Sequence, residues 1–265
     1  MIYQGVLKKM RTEYLAPVEY YLDMDGDFLN INQLLDREIS LNFVKFQCLN
    51  CGHDRPIYRQ GFCRSCFFET PRAGDWIMRP ELSTAHLDKE DRDLAYEKAM
   101  QLQPHIVYLA NSSNVKVGVT RKQQVPTRWI DQGAHEAIEL IEVPNRYLAG
   151  ITEVAIKEHV SDKTNWRKML INDIEDVDLE KQRERLADFL PEEVRAYFHS
   201  DSSRETHIEF PVRAYPEKVK SLNLQKTPSY TGVLKGIKGQ YLIFEDQTVF
   251  NVRANEGLVV DLDIG

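Results

Sequence analysis

Apolar residues alternate with polar ones at both ends of the chain. Tyr3-Gln4-Gly5-Val6-Leu7-Lys8 recurs as Tyr230-Thr231-Gly232-Val233-Leu234-Lys235. Leu29-Asn30-Ile31 is echoed by Phe250-Asn251-Val252, and the alternating Ile39, Leu41, Phe43 by Val260, Leu262, Ile264. A period of two is the mark of a β-strand with one buried face. Matches recurring in the same order predict a degenerate internal repeat. One small meander-like β unit stands at each terminus, and the two are able to pair into one sheet or barrel. In the middle, Ile106 to Ala110 and Val115 to Thr120 predict a hairpin across Asn111-Ser112-Ser113-Asn114, with a further strand at Ala137 to Val143. Helical patterns follow Leu87 to Leu102, with Asp88 as its start, and Ala149 to Val160. Val177 to Phe198 is charged and helical, with Pro191 opening a second short helix. His207 to Phe210 is strand-like.

Four cysteines change this picture most. They stand as Cys48-Leu49-Asn50-Cys51 and Cys63-Arg64-Ser65-Cys66, and the chain has no other cysteine. Two CxxC knuckles supply the closed tetrahedral sulfur shell of a structural Zn²⁺ site, a zinc ribbon. Gly52 and Gly61 sit where each knuckle needs a residue that tolerates positive φ. Paired disulfides or a redox dithiol fit less well: the first suits a small exported domain, and the second needs only one CxxC.

Composition excludes more than it assigns. With 265 residues, 42% hydrophobic and 28% charged, the chain can bury a substantial core. It has no apolar run of membrane-spanning length and no export signal, which predicts a cytoplasmic protein without a membrane partner. The net charge of −7 means that any nucleic-acid surface must be local. One stretch is suited to that. From Pro104 to Ile130 there is no Asp or Glu, while Lys116, Arg121, Lys122 and Arg128 fall inside it with His105. These four cations are the candidate nucleic-acid-binding residues.

The order of residues in this stretch resembles the GIY-YIG endonuclease superfamily, in particular its shortened branches. Tyr108, in Ile106-Val107-Tyr108, matches the Tyr of the first motif. Lys116-Val117-Gly118 matches the second, with Lys for the usual Tyr. Arg128 falls at the helix Arg and Glu153 at the metal-binding Glu. The whole chain also resembles an uncharacterised family combining a zinc ribbon with such a core. The likeness to the nuclease covers about residues 104–171, and the first motif lacks its Gly. It implies a catalytic set of Tyr108, Lys116, Arg128 and Glu153, with Mg²⁺ or Mn²⁺ at Glu153 in addition to the structural zinc. Each residue also has a plain structural role open to it. Tyr108 can be a core aromatic, Lys116 can protect a sheet edge, Arg128 can pair with Asp131, and Glu153 can pair with Lys157 at helical spacing.

Other chemistry lacks support. His135, His159 and Asp162 have no zinc-hydrolase spacing, and Asp162 suits a helix N-cap. Asp23-Met24-Asp25-Gly26-Asp27 lacks the final Glu of a calcium loop and predicts a hairpin turn. There is no phosphate-binding loop and no GxGxxG. The expected architecture is α+β, with a β unit at 1–46, the zinc ribbon at 47–72 and a GIY-YIG-like core at 104–175. A helical segment at 176–200 and a second β unit at 205–265 complete it, with Ser200 to Ser203 as a loop. The expected function is nucleic-acid binding or processing, possible phosphodiester hydrolysis included. The alternative is a non-catalytic adaptor that binds a protein or a structured RNA.

Overall fold

A computed structural model describes residues 1–160, 165–199 and 204–265. Asp162 and the Ser200–Ser203 loop lie outside the described residues. The fold is mixed α+β, and its two ends interlock. Strand Glu38–Phe46 pairs antiparallel with strand Leu258–Ile264, setting Ile39 against Ile264, Leu41 against Leu262 and Phe43 against Val260. The apolar residues that echo one another in sequence therefore meet face to face. Outside this pair, strand Ile2–Val6 adds to Leu258–Ile264 with Tyr3 opposite Leu262. Strand Ser229–Lys238 adds to Glu38–Phe46 with Tyr230 opposite Leu41. Each Tyr-x-Gly-Val segment thus pairs with the other unit, and strand Ser229–Lys238 goes on to pair with Tyr241–Phe244 of its own. Equivalent residues Leu41 and Leu262 oppose each other, as a local two-fold axis through the sheet requires.

The likeness extends further into each unit. A hairpin (Glu19–Met24 with Asp27–Asn30, and Tyr241–Phe244 with Thr248–Asn251) precedes a short 3-10 turn. Asn30 Oδ1 accepts from the Asn32 backbone N–H at 2.9 Å. Asn251 Oδ1 accepts from the Ala254 N–H at 2.8 Å. The same Asn thus opens the same turn twice, because a short side-chain carbonyl satisfies an N–H that the turn leaves open. The Asp25-Gly26 turn lies at the tip of the first hairpin.

The central sheet is antiparallel, in the order Thr206–His207, Glu136–Val143, His105–Asn111, Val115–Arg121. Ile106, Tyr108 and Ala110 turn to a core shared with the terminal sheet, and Val107 and Leu109 to a second core beneath the helices. Both faces of the His105–Asn111 strand are covered, which accounts for its unbroken burial. Strand Val115–Arg121 forms one edge of this sheet.

Several elements differ from expectation. The helix begins at Leu94, not near Asp88, and runs to Gln101. Asp88 takes a left-handed conformation (φ 56°) at the end of a 3-10 turn. Asp93 caps the helix instead, accepting from the Tyr96 N–H at 2.9 Å. The approach is held by buried Glu97, whose carboxylate accepts the backbone N–H groups of Asp91, Arg92 and Asp93 at 2.7–3.0 Å. The next long helix is Arg146–Lys157, opened by Asn145, so it starts earlier and stops before Val160. The charged segment resolves into helix Leu179–Ala187 and a 3-10 turn Glu192–Tyr197 after Pro191. In His207–Phe210 only His207 pairs in a sheet, while Ile208 and Phe210 fill the core.

His105 heads the central hairpin with no exposed surface, its Nδ1 2.7 Å from the Gln103 carbonyl. Burial lowers its pKa to about 4, the Gln103 contact opposing and the nearby Arg146 and Arg121 assisting. Between pH 6.5 and about 4 the unfolded chain takes up a proton that the folded chain refuses, so stability falls as pH falls through that window. Denaturant unfolding at pH 7 and pH 4.5 is expected to cost the wild type about 2 kcal/mol more than it costs His105→Asn. Equal losses would rule out this role for His105.

Candidate functional site

The four cysteine sulfurs lie within 4.8 Å of one another, and all four thiols are free of disulfides. A tetrahedral zinc with four thiolates needs sulfurs roughly 3.8 Å apart, so the cluster fits the metal. Gly52 and Gly61 carry the positive φ expected of them, 72° and 76°. Burial opposes ionisation of Cys48, yet the backbone N–H groups of Cys51, Cys63 and Asn50 bring its thiol down to about 6. The Cys63 and Asn50 contacts measure 3.3 and 3.5 Å. Backbone donors aimed at a sulfur before any metal is counted are what a zinc knuckle requires. Arg92 anchors the knuckle to the rest of the chain through the Phe67 and Thr70 carbonyls, both at 2.8 Å. Arg72 adds bonds to Leu49 O at 3.1 Å and Asn50 Oδ1 at 2.9 Å.

The second feature is a cleft of about 360 Å³ at strand Val115–Arg121. Its walls are that strand, the short helix Thr127–Asp131, the first turn of Arg146–Lys157, and residues Trp76 to Met78. Lys9, Arg121, Arg128, Arg146 and Arg253 all line it. Among the described residues Asp131 is the one carboxylate that lines it, and it is already engaged by Lys9 at 2.6 Å and by Gln240 at 2.9 Å.

Arg146 is fixed in place, donating to the Trp76 carbonyl at 3.0 Å and the Ile77 carbonyl at 2.7 Å, with its guanidinium over the Trp76 ring. Burial lowers its pKa to about 10, with Glu153 opposing and the charges of Arg128 and Arg121 assisting. Lys116 is lowered to about 8 by burial and by Arg128. These cations repel one another at a partly desolvated site, and an anion placed among them relieves that repulsion.

Tyr108 lies behind the cleft and not in its wall. It is 1% exposed, and its hydroxyl accepts from Gln132 Nε2 at 2.7 Å and from Arg128. Burial raises its pKa above the ordinary phenol value, so the hydroxyl stays protonated. The ring lies directly over Gly118, its register partner. A Cβ at Gly118 would stand 2.6 Å from the Tyr108 oxygen and 2.7 Å from Cζ. Gly118→Ala is therefore expected to cost about 1–3 kcal/mol in denaturant unfolding, and an unchanged midpoint would contradict this packing.

The other candidate residues scatter. Glu153 does not line the cleft. Its carboxylate, buried on the Arg146–Lys157 helix, pairs with Lys157 at 3.3 Å. Burial raises its pKa, the Lys157 pair opposing. Lys122 points elsewhere and pairs with Glu142 at 2.8 Å. Of the sequence candidates the cleft thus takes Arg121 and Arg128 into its wall, with Lys116 electrostatically coupled to Arg128 and Tyr108 hydrogen-bonded to it. Arg146, Arg253 and Lys9 carried no local signal. Lys9 and Arg253 belong to opposite ends of the chain, and only the interlocked terminal sheet brings them together.

The chain belongs to DUF2797, a family of proteins of unknown function, whose profile matches residues 36–260. No curated protein and no solved structure matches it. Among the described residues no helix is long and apolar enough to cross a membrane.

Proposed function

We propose that this protein binds nucleic acid by seating a backbone phosphate among Arg121, Arg128 and Arg146, without hydrolysing it. One observation carries the reading. A chain of net charge −7 concentrates five cations around one cleft and neutralises with Lys9 the single carboxylate that lines it among the described residues. Arg146 is held at a fixed angle by two carbonyls, and Arg121 makes longer contacts with Gln124 at 3.4 Å and Met100 Sδ at 3.2 Å. Held guanidinium groups suit bidentate recognition of phosphate oxygens. The order of elements supports the same reading: a Tyr-bearing strand, a Gly-bearing partner strand, then an Arg-bearing helix, as in the GIY-YIG superfamily.

The residues do not suit hydrolysis. Glu153 is committed to Lys157 and does not line the cleft, so it offers Mg²⁺ or Mn²⁺ no free carboxylate beside a phosphate seated there. Tyr108, buried and neutral, is no base for a water molecule. Supercoiled plasmid is expected to stay intact with Mg²⁺ or Mn²⁺, while a labelled oligonucleotide binds in buffer without either ion. Binding should weaken with salt at a log–log slope of about −2, as for the phosphate in the cleft together with one or two neighbours along the strand. Nicking that disappears in Glu153→Gln would replace this reading with a nuclease.

A further inference from the structure

We propose that the strand seated in the cleft is unpaired, and that its bases continue along a second groove to the zinc knuckle; this rests on the phosphate-binding reading above. The groove has a volume of about 610 Å³ and opens directly from the cleft, since Ile77, Met78, Asp131 and Arg253 line both. Its far end is formed by Leu49, Gln60 and Phe62 of the knuckle together with Arg72. Gln240, Tyr241 and Asn251 of the C-terminal hairpin line it too, with Ala254 and Glu256 after them.

This lining differs in kind from the cleft. Phosphate alone calls for cations, and the cleft is rich in them. The groove instead combines apolar and aromatic surface with the amides of Gln60, Gln240 and Asn251, two carboxylates, and two arginines, Arg253 at the junction and Arg72 at the knuckle. Base faces pack on apolar and aromatic side chains, base edges bond to amides, and spaced cations meet the backbone. In a duplex the base faces are stacked away, so a trench of this kind has nothing to hold. Tyr241 is a rigid platform because its ring lies against Trp166 at 5.8 Å, the planes 8° apart. Met78 is 72% exposed between the two cavities. Such an adaptable apolar side chain has no role in the core and suits a base of any identity.

The carboxylates along the path do not repel a polyanion in full. Asp131 is engaged by Lys9 and Gln240, and Glu256 accepts the Lys9 backbone N–H at 2.9 Å.

The test uses the full-length, zinc-loaded protein and three fluorescein-labelled DNAs: a blunt hairpin, the same hairpin with a ten-nucleotide single-stranded tail, and the tail alone. Anisotropy should show the tailed hairpin and the tail binding about tenfold tighter than the blunt hairpin. Gln60→Glu keeps the side-chain shape, adds a negative charge at the knuckle end, and should remove about fivefold of that advantage. Met78→Asp, at an exposed position, should act in the same direction while leaving circular dichroism and zinc content unchanged. Equal binding of blunt and tailed hairpins overturns the single-strand assignment and leaves the phosphate reading standing. A tail preference untouched by both variants overturns the groove as its path. If Arg128→Ala weakens none of the three DNAs, or if none binds to the wild type, the phosphate reading itself falls.

Discussion

Stripping the metal from the four-cysteine centre is expected to unfold residues 47–72 and leave the rest of the chain largely in place. The cluster around the sulfurs is small. Beyond the cysteines its apolar side chains are Phe62 and Ala73, with Leu49, Ile57 and Phe67 packed at the edge. Ordering each residue costs about 1–2 kcal/mol of backbone entropy, which so few side chains do not offset across this segment. A structural zinc supplies roughly 10–16 kcal/mol in small knuckle modules, enough to decide whether the segment is folded. Cys48→Ser should behave like metal removal, since it deletes a thiolate that the Cys63 and Asn50 N–H groups are placed to hold. Elemental analysis should find one zinc per chain in the wild type. Limited proteolysis after chelation should cut within 47–72 first. A chelated protein that resists cleavage there, with unchanged circular dichroism, would show that the knuckle stands without metal.

Gly150→Ala is expected to be the most damaging methyl addition near the cleft. In an exposed helix the change from Gly to Ala stabilises by up to about 1 kcal/mol. Here the sign reverses. A Cβ at Gly150 would collide with the Glu81 backbone nitrogen and the Pro80 carbonyl carbon, and it would stand 2.7 Å from the Glu81 Cα. All three are main-chain atoms, so no rotamer change relieves the clash. The helix or the 80–82 turn must move, at a cost of about 3 kcal/mol or more. Trp76 and Ile77 lie just before that turn and hold Arg146 through their carbonyls. The same variant should therefore loosen the cleft. Denaturant unfolding measures the first effect and oligonucleotide affinity the second. A stabilised Gly150→Ala protein would mean that helix and turn are not in contact.

Much of this architecture is legible before folding, because it rests on local pattern. The knuckles are written in the cysteine spacing, the central hairpin in two alternating runs, and the terminal units in a repeated order of apolar residues. The Glu153–Lys157 pair is also readable at helical spacing, and its consequence for metal binding emerges once burial is known. What sequence periodicity does not carry is partnership at long range. The alternation in Tyr3–Val6 and Tyr230–Val233 marks strands, yet nothing local says that each joins the other unit. That exchange brings Lys9 and Arg253 to the wall of the cleft. The start of the helix at Leu94 escapes the sequence for a different reason. Asp88 and Asp93 are equally able to cap, and the choice falls to Glu97, which binds three backbone N–H groups only when Asp93 opens the helix.

The central claim is that the arginine cleft seats a phosphate, and one comparison tests it most directly. Anisotropy of a labelled single-stranded oligonucleotide would be followed across a salt series for wild type, Arg121→Ala/Arg128→Ala and Lys122→Ala. Lys122 lies in the same basic stretch but pairs with Glu142 away from the cleft. The double variant should lose at least about tenfold in affinity, and its salt slope should become shallower by one to two, roughly one for each phosphate contact removed. Lys122→Ala should stay within about twofold of wild type, as expected for loss of a solvated ion pair. If Lys122→Ala and the double variant weaken binding equally, or neither does, the phosphate does not sit in this cleft.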